Sequence, residues 1–255
     1  MDAEWISRSF ERVLRRDRAI TVALLILVVG NSWAYILLGG GLEMPSMMTA
    51  RGTWDLDYSI VMLVMWWVMM LAMMLPSAAP MILMFVSLNR TRSDGSIGAV
   101  LALVIAFVLS WGAFSVLATL LQWGLEKTEL LSSMMAPTNA ILGASLLIAA
   151  GIWQLTPLKH ACLRHCRSPL NFFLHKWRNG PSGALKMGVE YGIFCLGCCW
   201  VLMALLFYGG VMNLWWIAGL ALYVLVEKAA PAGHWIGHGT GALLIAWGLW
   251  IFVAS

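Results

Sequence analysis

Charge is scarce in this 255-residue chain. Asp, Glu, Lys and Arg make up 11% of it, against roughly 25% in soluble domains. That deficit, beside 61% hydrophobic residues, excludes an ordinary soluble domain. No segment alternates evenly enough for a transmembrane barrel strand. There is no phosphate-cradling G-x-x-x-x-G-K-[ST] loop, so an ATP-driven pump is not expected. No Cys-x-x-Cys-His is present for covalent haem, and no serine- or metal-hydrolase motif stands out. The basic start of the chain lacks the Ala-x-Ala site of a cleaved signal, so the first apolar segment reads as a retained helix.

What is present are repeated apolar runs near the roughly 20-residue length of a membrane span. The expected fold class is all-α: a polytopic transmembrane helical bundle of about seven helices. The expected spans are 19–38, 58–85, 97–123, 138–156, 188–209, 212–227 and 236–254. The sixth is short, with Gly209, Gly210 and Asn213 supplying the turn before it. Residues 1–18 form a basic cytoplasmic segment. Residues 19–255 form one transmembrane domain with a cytoplasmic insert at about 157–187.

The basic residues support this layout. Arg8, Arg12, Arg15, Arg16, Arg18, Arg90, Arg92, Lys159, Arg164, Arg167, Lys176, Arg178, Lys186 and Lys228 fall on one side; only Arg51 and Lys127 fall on the other. Positive charge stays in the cytoplasm, so the N-terminus is inside and the C-terminus outside. The net charge of +4 is thus a topology signal and implies no nucleic-acid partner. The expected location is the inner membrane of a bacterial cell, multi-pass, in contact with membrane lipid. Trp54, Trp123, Trp177 and Trp215 fit interfacial belts.

Sulfur carries the chemistry. Met62, Met65, Met69 and Met73 recur at helical spacing and make a methionine-rich stripe. Thioethers are soft ligands that favour copper(I), although methionine also fills gaps in packed cores. Pro76 and Pro80 follow in the same span. Each removes a backbone donor, which suggests either a plain kink or a broken helix of the kind that lines transport sites. Met44, Met47 and Met48 lie on the outer side.

All five cysteines fall into two groups. Cys195, Cys198 and Cys199 occupy a narrow arc of the fifth span, preceded by Gly188 and Gly192, which would let a neighbouring helix approach closely. Cys162 and Cys166 lie in the insert with His160 and His165. A reducing cytoplasm argues against structural disulfides. Metal ligation, thiol redox chemistry and simple packing all remain open for the trio. For the insert group, structural zinc rivals copper. Glu190 and Glu227 are acids near the membrane, where charge is costly and often functional. Glu227, beside Lys228, also reads as an interfacial ion pair. His234 and His238, four apart, are a further ligand pair to consider.

Together MWWVMMLAMMLPSAAP, CLRHCRSP, GVEYGIFCLGCCWVLM, FYGGVMNLWW and the Glu227–Lys228 pair resemble the bacterial family of predicted metal-binding integral membrane proteins known as domain of unknown function 2182. The resemblance covers about residues 43–230. It implies copper handling, with Met69, Met70, Met73, Met74, Pro76, Pro80, Cys162, His165, Cys166, Glu190, Cys195, Cys198, Cys199 and Glu227 as motif residues.

The expected metal ligands are therefore Cys195, Cys198, Cys199, Cys162, His165, Cys166, Met65, Met69, Met73, Glu190 and Glu227. The leading expectation is a copper(I) transporter or copper chaperone that hands the ion to a copper-delivery protein or a cuproenzyme under assembly. An enzyme is not the first expectation. The rivals are a membrane thiol oxidoreductase using the Cys195, Cys198 and Cys199 cluster, and a non-catalytic assembly subunit with a structural metal. A homo-oligomer whose symmetry axis forms the path also stays open.

Overall fold

The structure, a computed structural model, describes residues 2–41, 54–92, 96–131, 135 and 137–254, with side chains from residue 16 onward. Met44, Met47 and Met48 lie outside the described residues. The described chain is an all-α bundle. Its helices are α1 (Asp2–Leu37), α2 (Leu56–Arg92), α3 (Ile97–Lys127), α4 (Ala140–Leu155), α5 (Pro157–Arg167), α6 (Pro169–Lys176), α7 (Gly180–Ala204), α8 (Leu206–Gly209), α9 (Leu214–Ala229) and α10 (Gly233–Ala254).

Five segments are long and apolar enough to cross a membrane: Arg16–Leu37, Leu56–Arg92, Ile97–Lys127, Gly180–Gly209 and Gly233–Ala254. Helices α4 and α5 pass the same test of length and composition only when taken together, and they are bent by 66° at their junction. The expected sixth span becomes α9, which has only 16 residues. At 1.5 Å per residue it reaches about 24 Å, short of a hydrocarbon core of about 30 Å.

Local chemistry sets the boundaries. Asp55, Asn139 and Asn213 accept the free N–H groups at the starts of α2, α4 and α9. At the bend, Thr156 accepts the Lys159 N–H and Pro157 takes the first helical position, where no donor is needed. The stretch expected as a cytoplasmic insert is not a loose loop. It folds into α5, α6 and the start of α7, and it buries Lys159, Leu163, Cys166, Phe172 and Phe173. Helix α5 is amphipathic, so its apolar face must find a partner; it finds α7.

Small residues seat α7 against α3. A Cβ on Gly188 would lie 2.5 Å from the Leu103 carbonyl oxygen, and one on Gly192 would lie 2.4 Å from Ser110 Oγ. The expected close approach at these glycines is thus made by α3. Contacts also sort the helix ends. Asp17 binds Arg90, and Arg92 lies over Trp177, at one end. Trp54 binds Glu126, and Val211 N–H donates to Met135 O, at the other.

Candidate metal centre

Helix α2 runs unbroken through Pro76 and Pro80, so the broken-helix reading of the proline pair does not hold. A proline frees the carbonyl of the residue four positions back, but the rest of this turn is tied locally. The Ser77 hydroxyl donates to Met74 O at 2.9 Å. The methionine stripe is buried: Met62, Met65, Met69 and Met73 are all at most 1% exposed, as are Met70 and Met74. Pro80, further along the same helix, is exposed.

Helix α7 brings Cys195, Cys198 and Cys199 against α2, and α5 lowers Cys166 onto them. Cys198 Sγ lies 3.9 Å from Cys166 Sγ. Cys199 Sγ lies 3.9 Å from Met74 Sδ. Helix α2, the trio and the insert therefore meet, and Met74, one position past the stripe, makes the contact with Cys199. Cys198 and Cys199 donate their thiol protons to the Cys195 carbonyl, at 3.1 and 2.8 Å. Those four cysteines are buried, whereas Cys162 is half-buried, with its sulfur 2.7 Å from where a Cβ on Gly197 would stand. Glycine at 197 is what lets Cys162 rest on α7.

Reasoning from sequence missed one group here. Lys228 Nζ, on α9, lies 3.2 Å from Cys195 Sγ and 3.0 Å from Ser77 Oγ. An ammonium ion is therefore buried among thiols. The only sequence signal was the unusual Glu227–Lys228 pair near a helix end, and that pair misdirects. Glu227 binds Lys159, and both are at most 1% exposed. Adjacent helical residues point about 100° apart, so Glu227 and Lys228 serve different neighbours. Tyr223 donates to Glu227 at 3.2 Å, and Gln154 donates to Tyr223 at 2.6 Å. Burial without these partners would cost several kcal/mol per ion.

Three other expected ligands stand apart from the thiols. Glu190 pairs with Arg178 at 3.0 Å and with Lys176 at 3.6 Å. Glu227 is taken by Lys159. His165 stacks on Phe194, ring centroids 4.1 Å apart, and its Nδ1 bonds to Ala161 O. Among the described residues, no group of three or more His, Cys, Asp or Glu side chains is arranged to hold a metal ion. The four buried thiols instead gather about Cys195, which faces Cys166, Cys198 and Cys199, with Met74 and Lys228 beside them. On α5, burial pushes the Cys162 thiol up, with Cys198 adding to it. Burial pulls His160 down, helped by His238, Lys159, His234 and Arg164.

Met74 and the buried cysteines are soft donors, the ligand type that suits copper(I). Residues 63–251 match the PpoB2 family, described as copper chaperone, and the chain belongs to that family. No curated protein and no solved structure matches it.

Proposed function

We propose that this protein is an integral membrane copper(I) carrier of the bacterial inner membrane. It accepts the ion on methionine thioethers and passes it by ligand exchange to cysteine thiols, for import or for delivery to a cuproenzyme. One observation carries the reading: the 3.9 Å contacts Met74–Cys199 and Cys198–Cys166, which join the methionine-rich helix α2 to the insert. Membership of a copper chaperone family supports the metal. The asymmetry of the basic residues supports an N-terminus inside and a C-terminus outside.

In that orientation the ligands change with depth in a chemically sensible way. Thioethers carry no proton and do not pair into disulfides, so they suit the oxidising side. Thiolates bind copper(I) more tightly but last best on the reducing side. A cluster of four thiols with a methionine at its edge offers an incoming ion several alternative soft ligands, which suits ligand exchange. Lys228 adds a fixed positive charge beside Cys195. A cluster of several thiolates would otherwise build up negative charge in a medium that tolerates little.

The test is metal content by mass spectrometry on protein purified in detergent without oxygen. Copper at stoichiometric levels in the wild type, lost in Cys195/Cys198/Cys199→Ser while the helical signal persists, is the expected result. Zinc retained through the same change would replace copper with a structural metal in the Cys162–Cys166 region.

A further inference from the structure

A second convergence of sulfur lies at the opposite end of the bundle from Cys166. Gln122, on α3, is fully buried. Its Nε2 is 3.4 Å from Met62 Sδ, 3.4 Å from Met135 Sδ and 2.7 Å from Glu126 Oε1. Trp66 Nε1 donates to Gln122 Oε1 at 2.7 Å, which sets the orientation of the amide. A carboxamide nitrogen has only two hydrogens, yet three acceptors face it. One hydrogen is claimed by the carboxylate, and two thioethers, both weak acceptors, compete for the other. The nitrogen thus occupies a point on which two soft ligands and one negative charge converge.

Two further features mark the place as built. Met135 has φ 55°, the left-handed region that a bulky side chain rarely adopts. Its carbonyl accepts from Val211 N–H, and its side chain is buried against Gln122. The chain thus holds an unfavourable conformation while bringing this thioether to the amide. Glu126 is only half-buried; its Oε2 accepts from Trp54 Nε1 at 2.9 Å. A cavity of about 210 Å³, lined by Trp54, Trp123, Glu126 and Lys127, opens beside it. The carboxylate therefore connects an opening to the two sulfurs.

We infer that Met62, Met135 and Glu126 form a loading site for a soft monovalent cation, with the Gln122 carboxamide as its displaceable plug. The inference rests on the copper reading above and gives that path its entrance. Charge supports a monovalent ion: two neutral thioethers and one carboxylate balance a single positive charge, whereas a divalent ion would leave one uncompensated in a buried place. Thioethers also select soft ions over zinc. As the ion enters, the amide swings away, the two sulfurs and the carboxylate draw in, and Met62 stands at the head of the stripe.

The test uses full-length protein in detergent, labelled with ¹³C at the methionine methyl groups, with Ag(I) as the probe. Met62→Leu and Met135→Leu assign the two signals and nearly conserve volume. Silver is expected to shift both methyl signals in the wild type and in a variant with all five cysteines changed to Ala. Each Leu variant is expected to abolish the shift at the remaining methionine, and Zn(II) to move neither signal. Silver that binds only through the cysteines, leaving both methyl signals unmoved, overturns this site while the copper reading stands. Wild-type protein that takes up no silver overturns both.

Discussion

The two ends of the sulfur series solve one electrostatic problem in opposite ways. At the Gln122 end the ligands are thioethers that cannot ionise, and negative charge comes from Glu126 at the rim. At the Cys195 end the ligands can ionise, and a buried ammonium, Lys228, stands among them. At the first end Lys127 stands at the mouth of the cavity, over the Trp123 ring; at the second the cation lies directly against a thiol. On the proposed path, the carboxylate would draw a cation in at one end and the thiols would hold it at the other. The difference teaches that sulfur alone would not describe the proposed path; the charges beside each group of sulfurs distinguish its two ends.

The largest effect is expected from Glu227→Gln, which should strike only the cysteine end. It leaves Lys159 buried without its counter-ion, at a cost of about 3–5 kcal/mol. Thermal unfolding in detergent should drop sharply, and maleimide should reach Cys166 faster as α5 loosens. The double change Lys159→Met/Glu227→Leu should recover most of that stability, because a packed apolar pair replaces a buried ion pair well. If it does not, the ion pair does more than hold α5 in place.

Ser77→Ala is expected to cost less, about 1.5–3 kcal/mol, the range for a hydrogen bond to a charged group. It removes one anchor of Lys228. The methionine end should be untouched, and the shift of the Met62 and Met135 methyl signals with silver should survive. Loss of that shift would mean that the two ends are coupled through α2.

The smallest stability change and the sharpest functional one should come from Met74→Leu. Leu and Met exchange at a cost under about 1.5 kcal/mol, so folding should be nearly unchanged. Copper loaded at the methionine end should no longer reach the thiols, seen as silver retained on Met62 and Met135 while the cysteines stay reactive. Unimpeded transfer would show that the Met74–Cys199 contact is packing alone.

Much of this architecture is written in local pattern. Apolar run length marks the long helices, since crossing distance and rise per residue are fixed. The spacing of Cys195, Cys198 and Cys199 puts three thiols on one arc, and that of Met62 to Met73 makes a buried face, because helix period is a property of the backbone. Gly188 and Gly192 announce a close helix contact without saying with which helix. Pro76 and Pro80 suggest a broken helix, yet the surrounding bundle holds α2 intact. Glu190 and His165 look like ligands by residue type, but Arg178 and Phe194 already engage them.

What the sequence determined by itself is each long helix: its approximate span, its apolar character and the face on which its sulfurs lie. What the tertiary structure decided is which faces meet. Met74 and Cys199 are 125 residues apart, and Lys228 and Ser77 are 151 apart. Glu227 turns to Lys159 and Lys228 to Cys195 because adjacent helical positions diverge by about 100°. Gln122, an unremarkable amide in sequence, becomes a junction only when α2, α3 and the segment at Met135 converge on it. Periodicity is local and legible; the rotation and pairing of helices is a global packing outcome, and the positions of the charges beside the sulfurs follow from it.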